Sequence, residues 1–169
     1  MPGAEATDQG EAPKATEDNT AANQQSLDFI QKAAMGDMFE IEASKLALTK
    51  SQSTSIKSFA QSMITAHTET SAALKPLAAV MAVNLPTALD DDHAAKLSDL
   101  QKATVKEFDQ KYIDQQTEAH EKALDLMKDE AQNGNDSTLK GFAASTAPKV
   151  QQHLDMVKKL DKAGVDEPH

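Results

Sequence analysis

The sequence predicts an all-α fold, a four-helix bundle with a short crossover helix between helices 2 and 3. Three observations lead there. Apolar residues make up 39% of the chain but aromatic ones only 4%, so the core must be built from Ala, Leu, Ile, Val and Met. That recipe suits close-packed helices better than a sheet, where β-branched and aromatic residues are favoured. The apolar residues recur every three or four positions over long stretches, as on amphipathic helices. Finally, turn signals interrupt this pattern at few places, the strongest being Asn133-Gly134-Asn135-Asp136.

The elements follow in order. Residues 1–26 hold Pro2, Gly3, Gly10 and Pro13, five acids and no large apolar residue after Met1. They read as a disordered acidic tail, because nothing in them buries enough surface to offset ordering entropy. The bundle is expected over 27–165. Helix one should run from Leu27 to Lys50, with Ser26 and Asp28 available to satisfy its first amides. It has two stripes: Leu27, Ile30, Ala34, Met38, Ile41 and Leu48, and beside them Phe29, Ala33, Gly36, Glu40, Ala43 and Ala47. The small residues of the second stripe admit a close neighbour, and Glu40 is the lone acid among them.

Helix two should span Ser53 to about Val83, bent at Pro76, which lacks a backbone donor. Asn84, Leu85 and Pro86 break the chain. A crossover segment from Leu89 to Gln101 follows, with Asp90, Asp91 and Asp92 at its positive N-terminal end. The third long helix is placed at Thr104–Gln132 and the fourth at Ser137–Ala163, with Pro148 inside it and Gly164 at its end.

A single helix from Leu89 to Gln132 would be about 65 Å long at 1.5 Å per residue, too long for its partners. The crossover therefore returns the chain to the starting end, and helices two and three run parallel, as in bundles with one long connection. His67, His120 and His153 each fall on the apolar stripe of a different helix, roughly 14 to 16 residues along it. This topology brings them to about one height, near Glu40. An up-down-up-down order would misplace His67 by several turns.

Composition excludes several classes. The formal charge of −10 argues against nucleic acid, which calls for a basic face. No apolar run approaches the ~20 residues of a membrane span. With no cysteine, disulfides, thiol catalysis and thiolate metal sites are excluded. A secretory signal would show a basic end and an apolar stretch, absent from the tail. The chain is therefore cytoplasmic, or exported with its leader removed; the solvated spacer favours the second.

A set of motifs carries a family resemblance. Phe29-Ile30-x-Lys32-Ala33-Ala34, Phe39-Glu40-Ile41-Glu42-Ala43 and Leu46-Ala47-Leu48 are followed by Ile56-Lys57-Ser58-Phe59-Ala60, Met63 and His67. Leu85-Pro86, Phe108-Asp109 with Tyr112, Ala119-His120-Glu121, Phe142-Ala143, Pro148 and His153-Leu154 then recur in order. The chain resembles, over about residues 27–162, a bacterial domain family of unknown function with a ferritin-like four-helix fold. The resemblance implies a ferritin-like bundle and, since members usually look exported, a periplasmic or otherwise extracytoplasmic location. It implies no established activity.

Ferritin-like di-iron sites take Glu-x-x-His from each of two helices. The residues three before the histidines here are Ile64, Thr117 and Val150, so di-iron oxidation is not expected. No nucleophile has a base and an orienting acid at recognisable spacing, and no phosphate loop is present; an enzyme is not the expected class. Three imidazoles and one carboxylate suit a mononuclear divalent transition metal, zinc or iron ahead of copper. The expected ligands are Glu40, His67, His120 and His153. Glu42, Glu69 and Glu121 are reserves that could orient an imidazole, and Met63 and Met156 are thioethers close enough to suggest copper. His93 is assigned to a solvated helix start, His169 to the terminus, and Tyr112 to the core edge.

The expected function is a metal-binding bundle for storage, buffering or stress resistance, as a monomer or homodimer. The alternative is a metal-free structural or interaction module of the cell envelope, its histidines bonded separately to core groups.

Overall fold

The computed structural model describes residues 17–163. It contains α1 (Glu17–Lys50), α2 (Thr54–Val80), α3 (Asp91–Lys102), α4 (Val105–Asn133) and α5 (Ser137–Lys162), and no strand among the described residues. Four long helices and one short crossover are the predicted architecture.

One boundary needs correction. α1 starts at Glu17, not at Leu27, so the last ten residues of the tail assigned to 1–26 are helical; residues 1–16 lie outside the described part. The polar sequence before Leu27 shows no apolar stripe, but its end is held by polar contacts instead. Gln25 Nε2 donates to the Asn133 carbonyl at 3.2 Å, Asn135 Nδ2 donates to Gln25 Oε1, and Ser26 is buried. α1 is thus fastened at Gln25 to the α4–α5 turn.

The other ends follow local chemistry. Ser53 caps α2, its hydroxyl accepting from the Ile56 amide at 3.3 Å. α2 stops three residues before Val83 because the chain turns back at Ala82, whose φ is 54°, and the Val83 amide reaches the Ala78 carbonyl at 2.9 Å. Asp90 caps α3. The Glu107 carboxylate accepts from the amide and hydroxyl of Thr104 at the start of α4. At the α4–α5 turn Gly134 is required by space: a Cβ there would meet the Glu130 carbonyl oxygen at 2.5 Å. Pro76 and Pro148 lie inside α2 and α5 as expected.

α1 packs against α2 and α4, and α5 against α4 and α2, so the bundle is a ring in the order α1, α2, α5, α4. Lys50 ends α1 by donating to the carbonyls of Leu100, Gln101 and Ala103 at 3.1, 2.5 and 2.9 Å. The end of α1 thus meets the start of α4, while the start of α1 meets the end of α4. These helices are antiparallel, and α2 and α4 run the same way. α3 packs on α1 and α4, returning the chain as the length argument requires.

Ile30, Phe59, Ala60, Met63, Leu74, Phe108, Ile113, Leu139 and Val157 form the core with others. A polar belt interrupts it at mid-height: Asp37, Glu40 and Ser44 from α1, His67 from α2, Gln116 and His120 from α4 are all buried. Such groups are costly without partners. Their arrangement defines the candidate site.

Candidate metal centre

α1 presents its small-residue stripe inward: Ala33, Ala43 and Ala47 are buried with Glu40 among them. One turn before Glu40, Asp37 is buried as well. Its Oδ1 lies 2.8 Å from His67 Nδ1, and its Oδ2 accepts from the Ser71 hydroxyl at 3.3 Å. On α4, His120 Nδ1 is 2.7 Å from the Gln116 carbonyl. A carbonyl only accepts, so Nδ1 carries the proton there and Nε2 keeps its lone pair. The Asp37 carboxylate favours the same tautomer of His67.

The three rings meet. The centroids of His67, His120 and His153 are 5.7, 6.0 and 5.6 Å apart, each ring on its own helix. One ligand atom of each lies within 4.8 Å of the others. Three such atoms are at most about 2.8 Å from a common centre, and imidazole–metal bonds need about 2.0–2.1 Å. Adjustments of under an ångström would close the set. His67 Nε2, His120 Nε2 and His153 Nδ1 are buried with no hydrogen-bond partner. Two of the imidazoles have separate partners, Asp37 for His67 and the Gln116 carbonyl for His120, yet one nitrogen of every ring in the trio is left open.

Glu40 is buried beside this trio, both carboxylate oxygens without a hydrogen-bond partner. It does not join the set of atoms within 4.8 Å. The Gln116 amide is close enough to favour its charged form, without hydrogen-bond geometry on either side. Of the expected reserves, none reaches the trio's cluster. Glu42 pairs with Lys45 at 3.0 Å and Glu121 with Lys158 at 3.4 Å, both half-exposed, and Glu69 is exposed. They lie on outward faces, where carboxylates stay hydrated. Met63 is fully buried in the apolar core and Met156 packs against it.

The orienting carboxylate is Asp37, which the sequence reading missed. A signal existed: Asp37 lies four after Ala33 and three before Glu40, on the inward stripe. His93 is half-buried rather than a plain solvated cap, its ring 5.4 Å from Phe39 and its Nδ1 2.6 Å from Asp90. Tyr112 is fully buried, not at the core edge, and shares a 2.8 Å hydrogen bond with Ser44. His169 lies outside the described residues.

The electrostatics separate the groups. Burial, reinforced by the neighbouring His67, drives His120 down to about 3. Burial does the same to His153, to about 4, with His67 and Lys149 adding. Both are neutral imidazoles at pH 7, the form a metal needs. Burial also works against a charged His67, but the Asp37 hydrogen bond and the Glu40 charge overcome it and hold its pKa above the usual value. Burial pushes Glu40 up to about 7, opposed by His67.

The trio lines an open cleft of about 1340 Å³ whose walls also include α3 and the exposed Lys122 and Asp125. The site therefore has a path to solvent.

Comparison with known proteins places the chain in a family. The profile described as Domain of unknown function (DUF4142) matches residues 11–160. The chain belongs to this family. The resemblance read from the motifs is borne out, and the DUF4142 match begins ahead of Leu27, in keeping with the earlier start of α1. Among solved structures, this DUF4142 domain is similar to the DUF305 fragment from Deinococcus radiodurans, with a TM-score of 0.73 at 11% identity. The match covers 83% of this chain and 97% of that one, and it bears on the fold alone, a helical bundle. No protein of curated function matches the sequence significantly.

Proposed function

We propose that this DUF4142 domain is a metal-binding bundle that holds one divalent transition ion between His67, His120 and His153, for storage, buffering or stress resistance. A single observation supports it most: one ligand atom from each of three histidines on three helices lies within 4.8 Å of the others, in rings that each keep a buried nitrogen without a partner, two of them already oriented through their other nitrogen. Metal-binding imidazoles are typically held this way, by a carboxylate or carbonyl behind them. Glu40 supplies compensating negative charge. The all-nitrogen trio suits zinc or iron, and the thioethers do not strengthen copper because Met63 serves the apolar core. Among the described residues no helix is long and apolar enough to cross a membrane. The extracytoplasmic location rests on the family resemblance and is tested by cell fractionation.

The test of function is metal content of protein purified without chelator or nickel affinity, alongside His120→Ala. About one equivalent of zinc, iron or copper, lost in the variant, is the expected result. No metal, with no change in melting temperature on adding any of the three, would overturn the proposal in favour of a metal-free module.

A further inference from the structure

Three imidazoles do not complete a coordination shell. Zinc sites held by three protein ligands leave a fourth position to water or substrate, whereas structural sites close it with a fourth side chain. Here the side chains that could close it are few. Asp37 is committed to His67 and Ser71. Glu42 and Glu121 are paired on the surface, and Glu69 is exposed. Glu40 remains, and its carboxylate lies outside the set of converging atoms.

Glu40 has a second peculiarity. Both its oxygens are buried without a partner, and so are the oxygen and nitrogen of the Gln116 side chain. Buried polar atoms in folded proteins nearly always have a partner, so a carboxylate and an amide left open together call for a hydrogen-bonding guest. The cleft that Glu40 lines with the trio is open, with exposed residues such as Lys122 and Asp125 in its wall. His153, only partly buried, marks its wetter side.

Building on the metal reading above, we propose that the ion keeps one exchangeable coordination position facing this cleft, taken by water or a small monodentate anion, with Glu40 beside it as hydrogen-bond acceptor and not as ligand. Water in that position gives Glu40 the donor it lacks. An anion there meets the Glu40 charge and is held more weakly for it. The site then discriminates by charge: neutral donors are favoured and anions admitted only at a cost.

The experiment uses the full chain loaded with cobalt(II), whose visible absorption reports its ligands. Wild type and Glu40→Gln are each assayed for cobalt stoichiometry and then titrated with azide. One cobalt per chain, a saturable azide-induced shift of the band, and azide affinity roughly tenfold higher in Glu40→Gln would support the proposal, since removal of one nearby unit charge is worth at least that much in a half-wet site. A wild-type spectrum indifferent to azide, or loss of cobalt in Glu40→Gln, would make Glu40 the closing ligand and overturn it while leaving metal binding intact. Equal azide affinity in the two proteins would remove Glu40 from the neighbourhood of the exchangeable position. Failure of wild type to bind cobalt would overturn both readings.

Discussion

Asp37 Oδ1 and His67 Nδ1 stand 2.8 Å apart across the α1–α2 hairpin, both groups buried. This contact occupies one nitrogen of a ring whose centroid is 5.7 and 6.0 Å from the other two imidazoles, so on the metal reading Asp37 orients a ligand without touching the ion. Asp37→Asn keeps the size but removes the charge that fixes the tautomer. Loss of such an orienting group typically costs about 10- to 100-fold in metal affinity. Competition with a chromogenic chelator measures it; unchanged affinity would deny Asp37 that role.

Metal should also stabilise the bundle, because the trio joins three helices that an unfolded chain does not bring together. With free metal at about 100 times its dissociation constant the gain is about 2.7 kcal/mol. For a chain of this size that raises the melting temperature by roughly 5–10 °C. Calorimetry with added zinc and then with chelator checks it, His120→Ala being the unresponsive control.

The metal-free protein should lose stability on the acid side in a way traceable to His120. Its folded pKa of about 3 is below the 6.5 of an unconstrained histidine, so between these values the unfolded chain binds a proton that the folded one refuses. Stability is therefore intact above pH 6.5 and falls as pH drops toward 3, at up to about 1.4 kcal/mol per pH unit. His153 acts in the same direction, more weakly because it is partly solvated. Glu40 acts oppositely: with its pKa raised to about 7, its contribution declines as pH rises from 4.5 to 7. His120→Asn should flatten the acid limb by one proton in chelator-treated urea titrations; an unchanged slope would contradict the burial of a neutral imidazole.

Lys50 ties the end of α1 to the last carbonyls of α3, where the helix dipole is negative. It also stacks over the Phe108 ring, 5.6 Å from its centroid. Lys50→Met should cost about 1–2 kcal/mol and speed amide exchange in α3 more than in α2. Uniform acceleration across all helices would mean that the crossover has no such local anchor.

How much of this was legible in the residues differs from place to place. Helix number, the crossover and the parallel pair α2 and α4 followed from apolar period, turn signals and length, each a local property. The meeting of His67, His120 and His153 followed from that topology by counting heights. Asp37 did not stand out, because an acid beside Gly36 on a long helix reads as surface; its burial depends on the approach of α2. Glu42, Glu69 and Glu121 misled for the converse reason, being near the right residues in sequence but on outward faces. The stretch of α1 before Leu27 was missed because it carries no apolar stripe, and the polar contacts of Gln25 to Asn133 and Asn135, more than 100 residues away, leave no periodic trace.

The ring order of the helices bears on how the chain assembles. His67 belongs to the first hairpin, α1 and α2, and His120 and His153 to the second, α4 and α5. Each hairpin is closed by a three-residue connection, so both form from local contacts, while docking one on the other is the long-range step. Positions 67 and 153 are 86 residues apart, and closing so long a loop is the slow, entropically costly event of folding. A clasp at that point takes hold only after docking. It would thus prolong the lifetime of the native bundle by slowing its unfolding, while leaving the rate at which it forms almost untouched.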